Sequence, residues 1–489
     1  MVKESFLAQF YGKSQNYTDI PNKWYKEYNV KKGLRNEDGT GVRIGLTRVA
    51  DVVGYEETDG GIKAIPGRLL YRGVDVLDLV KGKKESHFGY EETCFLLLFG
   101  YLPKKAELEK FCNVVRHCYT IPDEFVEMNL LRLPGKNLMN KLQDAVLTLY
   151  NYDDDPDNID VYQTLVKGVN LLAKLPSIAC YAYQSKVHYY DRESLFIHYA
   201  NPEYSIAENF LSLLRKDQKF TSKEANLLDT ILMLHADHGG GNNSTFACRV
   251  LSSSGTDTYS AIAAAIGSLK GPKHGGANHK VMQMLDHMKE EIHDYYDDEE
   301  VAEYLRKLLR KEAGDRSGLI YGMGHAVYTK SDPRAVILRS HAGGLAHAKG
   351  FDDEFHLLCA VERLGPAILE EVKGKAACAN VDLFSGLIYR MLGISDDLFT
   401  PLFAISRIPG WCAHRVEEVV FANRIIRPAY KLSLIHICLP ESSVIVLCEK
   451  QMDLARLEPG MKGVVFASPE TVGETVCSQL AVFPQKKED

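Results

Sequence analysis

The spacing of apolar positions predicts a mostly helical chain. Apolar residues recur at intervals of three and four over 91–99, 141–150, 161–173, 206–214, 224–235, 259–269, 278–293 and 302–309. That repeat is the mark of a helix with one face turned to a core. Two later runs, DDEFHLLCAVERLGPAILEEV and LFTPLFAISRIPGWCAHRVEEVVFANRI, continue it. Pro333 suits the first turn of the helix that DPRAVILRSHA predicts. Pro409 and Gly410 should bend or interrupt the helix in which they stand, because proline lacks a backbone donor and crowds the carbonyl four residues back. The stretch from about 40 to 73 differs. TGVRIGLTRVADVVGYE alternates and breaks at glycines, which predicts short strands and turns. The polar stretch 153–158 reads as an exposed loop. The fold class expected is mainly α, multi-helical, with a small N-terminal β element.

Composition narrows the class of partner. The chain has 489 residues, of which 45% are hydrophobic and 25% charged. That is the balance of an ordinary globular protein, long enough for roughly two or three domains. A net charge of −7 argues against nucleic acid or an anionic membrane as the main partner. An acidic substrate would therefore need arginines or histidines placed locally. Eleven cysteines are scattered without a CxxC pair, which reads as reduced thiols and not as a disulfide framework or a zinc site. No apolar leader follows Met1, and no apolar run is long enough to span a membrane, so the expected location is cytoplasmic.

Three short stretches place a titratable side chain beside glycines or at a helix start: His274 in GPKHGGAN, His325 in GMGHAV and Asp382 in NVDLFSG. Asn380 reads as a helix cap that leaves Asp382 in the first turn, where helix-start amides favour an ionised carboxylate. His274 precedes a helix beginning near Ala277, whose positive end favours neutral imidazole. His238 closes the helix ending at LMLHADH, whose negative end favours imidazolium, a form suited to binding a dicarboxylate. His235 and His238 are three apart, but nothing nearby supplies further metal ligands in an obvious pattern, so His235 reads as a packed helix residue and no metal site is expected. Taken singly, each of these residues also fits a bland role as a turn histidine or a helix-stabilising aspartate.

Together with HADH at 235–238 and NNST at 242–245, these stretches resemble the active-site segments of the citrate synthase family, and the likeness runs from about residue 30 to 430. The resemblance implies a two-domain fold. A large helical domain would occupy 1–274 and resume over 386–431, and a smaller CoA-binding domain would be inserted at 275–385. It implies condensation of acetyl-CoA with oxaloacetate and hydrolysis of citryl-CoA to citrate and CoA, the entry step of the tricarboxylic acid cycle. Acetyl-CoA would be a substrate, with no tightly bound cofactor. Asp382 would take the methyl proton, His274 would hold the thioester oxygen and His325 would act on the oxaloacetate carbonyl. His238, Arg334, Arg407 and Arg427 would bind oxaloacetate, Arg427 from the neighbouring subunit of a homodimer. Gly322, Met323 and Gly324 would hold the adenine of CoA, and Asn242 and Ser244 would orient His274 or the loop; which basic residue holds the CoA phosphates stays open, with Lys330 and Lys273 as candidates. Two alternatives stand beside this. One is a 2-methylcitrate synthase using propionyl-CoA. The other is a non-catalytic metabolite-binding paralogue, against which the presence of His274, His325 and Asp382 speaks.

The resemblance stops near Lys431. The segment 432–489 lacks the polar arm the family would supply. Its opening, LSLIHIC at 432–438, is what one frame of a transposon end used in sequencing libraries encodes. The expectation is a tail foreign to the core, detached from it or paired only with itself.

Overall fold

A computed structural model describes residues 20–37, 39–58, 61–83, 88–421 and 424–430, together with Ala8 and Tyr11. The tail 432–489 lies outside the described residues. The chain divides into two units, of which one is Leu34–Arg427. In the other, Lys23–Glu27 forms a short helix with Trp24 edge-on to Tyr28. The rest of the description concerns Leu34–Arg427.

A three-stranded antiparallel sheet comes first: β1 (Ala50–Thr58), β2 (Gly61–Tyr71) and β3 (Val74–Asp75), in that order. Ala50 pairs with Tyr71 and Thr58 with Gly61, and the register slips between Val53 and Tyr55. Glycines at and beside the slip have a packing reason. A Cβ at Gly54 would lie 2.5 Å from the Val327 carbonyl oxygen, and one at Gly67 would lie 2.2 Å from that of Ser331. Bare backbone here lets the loop carrying His325 rest on the sheet.

The helices follow: α1 (Val76–Gly82), α2 (Gly89–Phe99), α3 (Lys105–His117), α4 (Leu138–Leu149), α5 (Val161–Lys186), α6 (Ile206–Leu214), α7 (Ser222–His235), α8 (Asn243–Ser253), α9 (Thr258–Leu269), α10 (Ala277–Glu291), α11 (Asp298–Arg310), α12 (Pro333–Lys349), α13 (Asp352–Lys373), α14 (Asp382–Met391) and α15 (Phe399–Phe421). The mainly α class with a small β element is as expected. Local chemistry sets many of the starts. Ser205 with Glu208 and Thr221 with Glu224 form reciprocal capping boxes at α6 and α7. Asp332 caps α12, and Pro333 follows as the first helical residue.

Helix α15 is the hub. It packs on α2, α5, α7, α8 and α9, and is buried on every face from Pro401 to Arg415. Of the bend or interruption expected at Pro409 and Gly410, the interruption does not occur, and the helix runs through. Proline removes the donor for the carbonyl of Ile405, but the hydroxyl of Tyr90 donates to that oxygen at 3.0 Å and to Ser406 at 3.1 Å. Gly410 lies against the end of α7, where a Cβ would sit 2.4 Å from the Ala236 oxygen. Gly410 thus serves close helix packing.

Tyr90→Phe should leave that carbonyl unpaired in the core and lower stability by about 1–3 kcal/mol. Urea unfolding is the measurement. An unmoved midpoint would show that α15 does not depend on this bond.

Candidate active site

Two segments far apart in the chain are stitched together by backbone. Gly324 N–H donates to the Cys378 oxygen at 2.8 Å, and Asn380 N–H to the Gly322 oxygen at 2.9 Å. The Asn380 side chain donates to the Gly324 oxygen at 2.9 Å, and its own oxygen accepts from Asp382 N–H at 3.0 Å. Asn380 therefore caps α14 and ties the glycine loop to it with one side chain. Gly322 has φ +80° and lies against Leu383, where a Cβ would clash at 2.8 Å. Met323 packs on Gly365 of α13. Lys330 and Lys273 are both exposed.

His325 is held by its ring. Nδ1 accepts from the backbone amides of Val327 and Tyr328, each at 3.0 Å, so the hydrogen is on Nε2. The ring stacks on Tyr328 at 4.4 Å and meets His238 edge-on at 5.0 Å. Burial, aided by Arg334, lowers its pKa to about 4, so it is neutral at physiological pH. His274 precedes α10 and is also lowered to about 4, first by burial and then by Arg407. The neutral form matches the sequence reading, but burial, not the helix end, is the leading cause. Its Nε2 lies 3.1 Å from Ser244 Oγ, which accepts from Trp411 Nε1 and donates to Asn242 Oδ1 at 2.9 Å.

Two expectations of charge need correction. His238 was expected as imidazolium at a helix end. Helix α7 stops at His235, and burial together with Arg334 holds the His238 pKa well below its ordinary value. Asp382 was expected to be stabilised as a carboxylate. Burial instead raises its pKa to about 6, with Arg334 and Arg407 pulling the other way. It is still mostly ionised at neutral pH, as a more basic group.

The arginines differ. Arg334 is buried and makes a two-pronged contact with its own cap residue, Nε to Asp332 Oδ1 at 3.0 Å and Nη2 to Oδ2 at 2.7 Å. Burial opposes its charge, but Asp332 outweighs that and raises its pKa. Arg407 is 0% exposed, with Nε bonded to the His235 oxygen and both Nη atoms without a partner. Burial lowers its pKa to about 10. A buried guanidinium with two free forks is built for a carboxylate. Arg427 is exposed. His235 is fully buried, with both ring nitrogens unpartnered and its ring 4.3 Å from Phe403. Among the described residues, no group of three or more His, Cys, Asp or Glu could hold a metal ion, and no helix is long and apolar enough to cross a membrane.

Sequence reasoning passed over Asp332, Asp237 and His414. Asp332 had a visible signal, a cap residue two places before a functional arginine. Asp237 stands within HADH without a role of its own, and His414 sits in no local motif.

A helical body with a buried basic carboxylate, neutral histidine donors and a buried arginine defines an enzyme for proton transfer on an acidic substrate. The chain belongs to the citrate synthase family: residues 39–429 match the model for the citrate synthase C-terminal domain. It is 34% identical to a citrate synthase of Synechocystis over 451 residues, covering 91% of this chain and 98% of that one. It is also 34% identical to a 2-methylcitrate synthase of Shewanella oneidensis, over 74% of this chain and 87% of that one. The fold is similar to the citrate synthase of Thermoplasma acidophilum solved as a ternary complex with carboxymethyl coenzyme A and oxaloacetate, with TM-score 0.67, 27% identity, and coverage of 82% and 97%. The protein is an acyltransferase that makes citrate.

As pH falls through about 6, Asp382 takes up a proton while His274 and His325 stay neutral down to about 4. The acid limb of kcat/KM for the acyl-CoA should therefore fall with unit slope and a midpoint near 6. A midpoint near 4 would remove Asp382 as the titrating base.

Proposed function

We propose that this citrate-forming enzyme divides the condensation of acetyl-CoA with oxaloacetate among Asp382, His274 and His325. The observation that carries this is the stitched loop, which ties the His325 segment to the start of α14 at Asp382 beneath the field of Arg334 and Arg407. Asp382 removes the methyl proton. His274, anchored at its Nε2 by Ser244 Oγ, lies at the thioester oxygen as the enol forms. His325 presents Nε2–H to the oxaloacetate carbonyl. The two amides on its Nδ1 lower the cost of giving up that proton as the alkoxide develops. Hydrolysis of the citryl thioester follows in the same site.

Arg334, Arg407 and His238 receive the dicarboxylate. Its charge offsets the two arginines that restrain Asp382, so the base strengthens once the acceptor is bound. Gly322–Gly324 would lie along CoA, and exposed Arg427 would complete the site of a partner subunit in a homodimer. Helices α10 to α14 pack largely on one another, which supports 275–385 as the smaller domain. Propionyl-CoA remains a second acyl donor to compare, given the equal identity to a 2-methylcitrate synthase. One methylene discriminates by only about 1–3 kcal/mol. Steady-state rates with the two thioesters decide between them.

Asp382→Asn should lower kcat by about 10²- to 10⁴-fold with little change in oxaloacetate affinity. Near-normal turnover would sink the assignment. Arg427→Leu and Asp382→Asn subunits, each inactive alone, should regain some activity when mixed into hybrid dimers. Properly formed hybrids that stay dead would place Arg427 outside the partner's site.

A further inference from the structure

Helix α15 carries a second line of polar groups one turn beyond Pro409. His414 lies two turns from Arg407 and is fully buried. Its Nδ1 accepts from Arg249 of α8, at 3.2 Å from Nε and 2.9 Å from Nη2. Arginine only donates, so Nδ1 carries a lone pair and the ring hydrogen is on Nε2. That nitrogen faces Asp237 Oδ2 at 3.3 Å. The same oxygen accepts from Gly239 N–H at 2.8 Å. Asp237 is 0% exposed and belongs to the turn after α7, which also supplies the His235 oxygen that holds Arg407 Nε. Asp237 is the main charge that opposes the effect of burial on Arg407. At the outer end, Arg249 pairs with Glu417 and with Glu418. Gly240 lets Arg249 come close, since a Cβ there would be 3.3 Å from its Nε.

We infer that Arg249, His414 and Asp237 form a positioning relay for the substrate-binding turn, fixing Arg407 and His238 from the far side. None of the three is assigned a contact with substrate. Arg249 fixes the His414 hydrogen on Nε2, that hydrogen fixes the Asp237 carboxylate, and the carboxylate sets both the turn and the charge balance of Arg407. The grip on the acidic substrate is thus set by a side chain at the outer end of a buried column. The inference rests on the citrate-forming reading only for the name of the dicarboxylate.

Calorimetric titration with oxaloacetate tests it without turnover. His414→Leu should weaken oxaloacetate binding by about 10- to 100-fold, since it leaves a buried carboxylate short of a donor. The acetyl-CoA KM should change far less. His414→Gln, which returns an N–H toward Asp237, should recover most of the loss. Arg249→Met, at the outer end, should give a smaller loss of about 3- to 10-fold and serves where His414→Leu does not fold. Unchanged oxaloacetate affinity in a folded His414→Leu or Arg249→Met protein overturns the relay. So does an equal loss for both substrates, which would mark a general structural role. If the unaltered protein binds oxaloacetate but releases no thiol from acetyl-CoA, the citrate-forming reading fails, and the binding shifts still decide the relay.

Discussion

The positive charge of Arg407 at the centre of α15 is the constraint around which the rest is arranged. A guanidinium with no exposure is tolerable only when its surroundings are organised for it. Here the surroundings are a backbone oxygen at the end of α7, the Asp237 carboxylate and, in the proposed function, a substrate carboxylate. The first two require α7 and α15 to approach closely, and Gly410 provides that approach. The approach requires an unbroken α15, and Tyr90 of α2 keeps it unbroken across Pro409. Packing and binding are therefore one design at this place, and the helix that holds the core also holds the charge.

The same burial sets the protonation states. A helix end is worth about 0.3–1 kcal/mol to a nearby charge. Moving a histidine from its ordinary 6.5 to about 4, as at His325, corresponds to about 3 kcal/mol at 1.4 kcal/mol for each unit. Desolvation wins by that comparison, and it leads at His238 too, which lies beyond the last residue of α7. The result is a site of neutral histidines between permanently charged arginines. Hydrogens are placed by geometry: backbone amides fix the tautomer of His325, and Arg249 fixes that of His414.

Much of this was legible in the chain, for identifiable reasons. Amphipathic repeats gave nearly all the long helices, and Asn380, Asp332 and Pro333 wrote their caps in local sequence. The glycine-flanked histidines and Asp382 stood out because close approach to a ligand needs small neighbours. Helices α3 and α8 were not anticipated, since their apolar stripes are narrow: only Phe111, Cys112 and Val115 are buried in α3. The continuity of α15 was not legible, because the group that repairs Pro409 lies more than 300 residues away. Asp237 and His414 were missed for the same reason. Their meaning comes from a 177-residue separation closed only by the fold.

Asp382 shows why burial and arginines had to act together. At an ordinary carboxylate pKa near 3.8 it would be fully ionised but a weak base for a carbon acid. Burial alone would push it toward the neutral form, which cannot accept a proton. Arg334 and Arg407 pull it back, and the balance falls near 6, where the carboxylate is both abundant at neutral pH and about a hundredfold more basic than usual. Arg334 can do this without collapsing onto Asp382 because Asp332 already occupies two of its donors. A residue that looks like a mere helix cap thus leaves Asp382 unpaired with Arg334, as its proposed role as base requires.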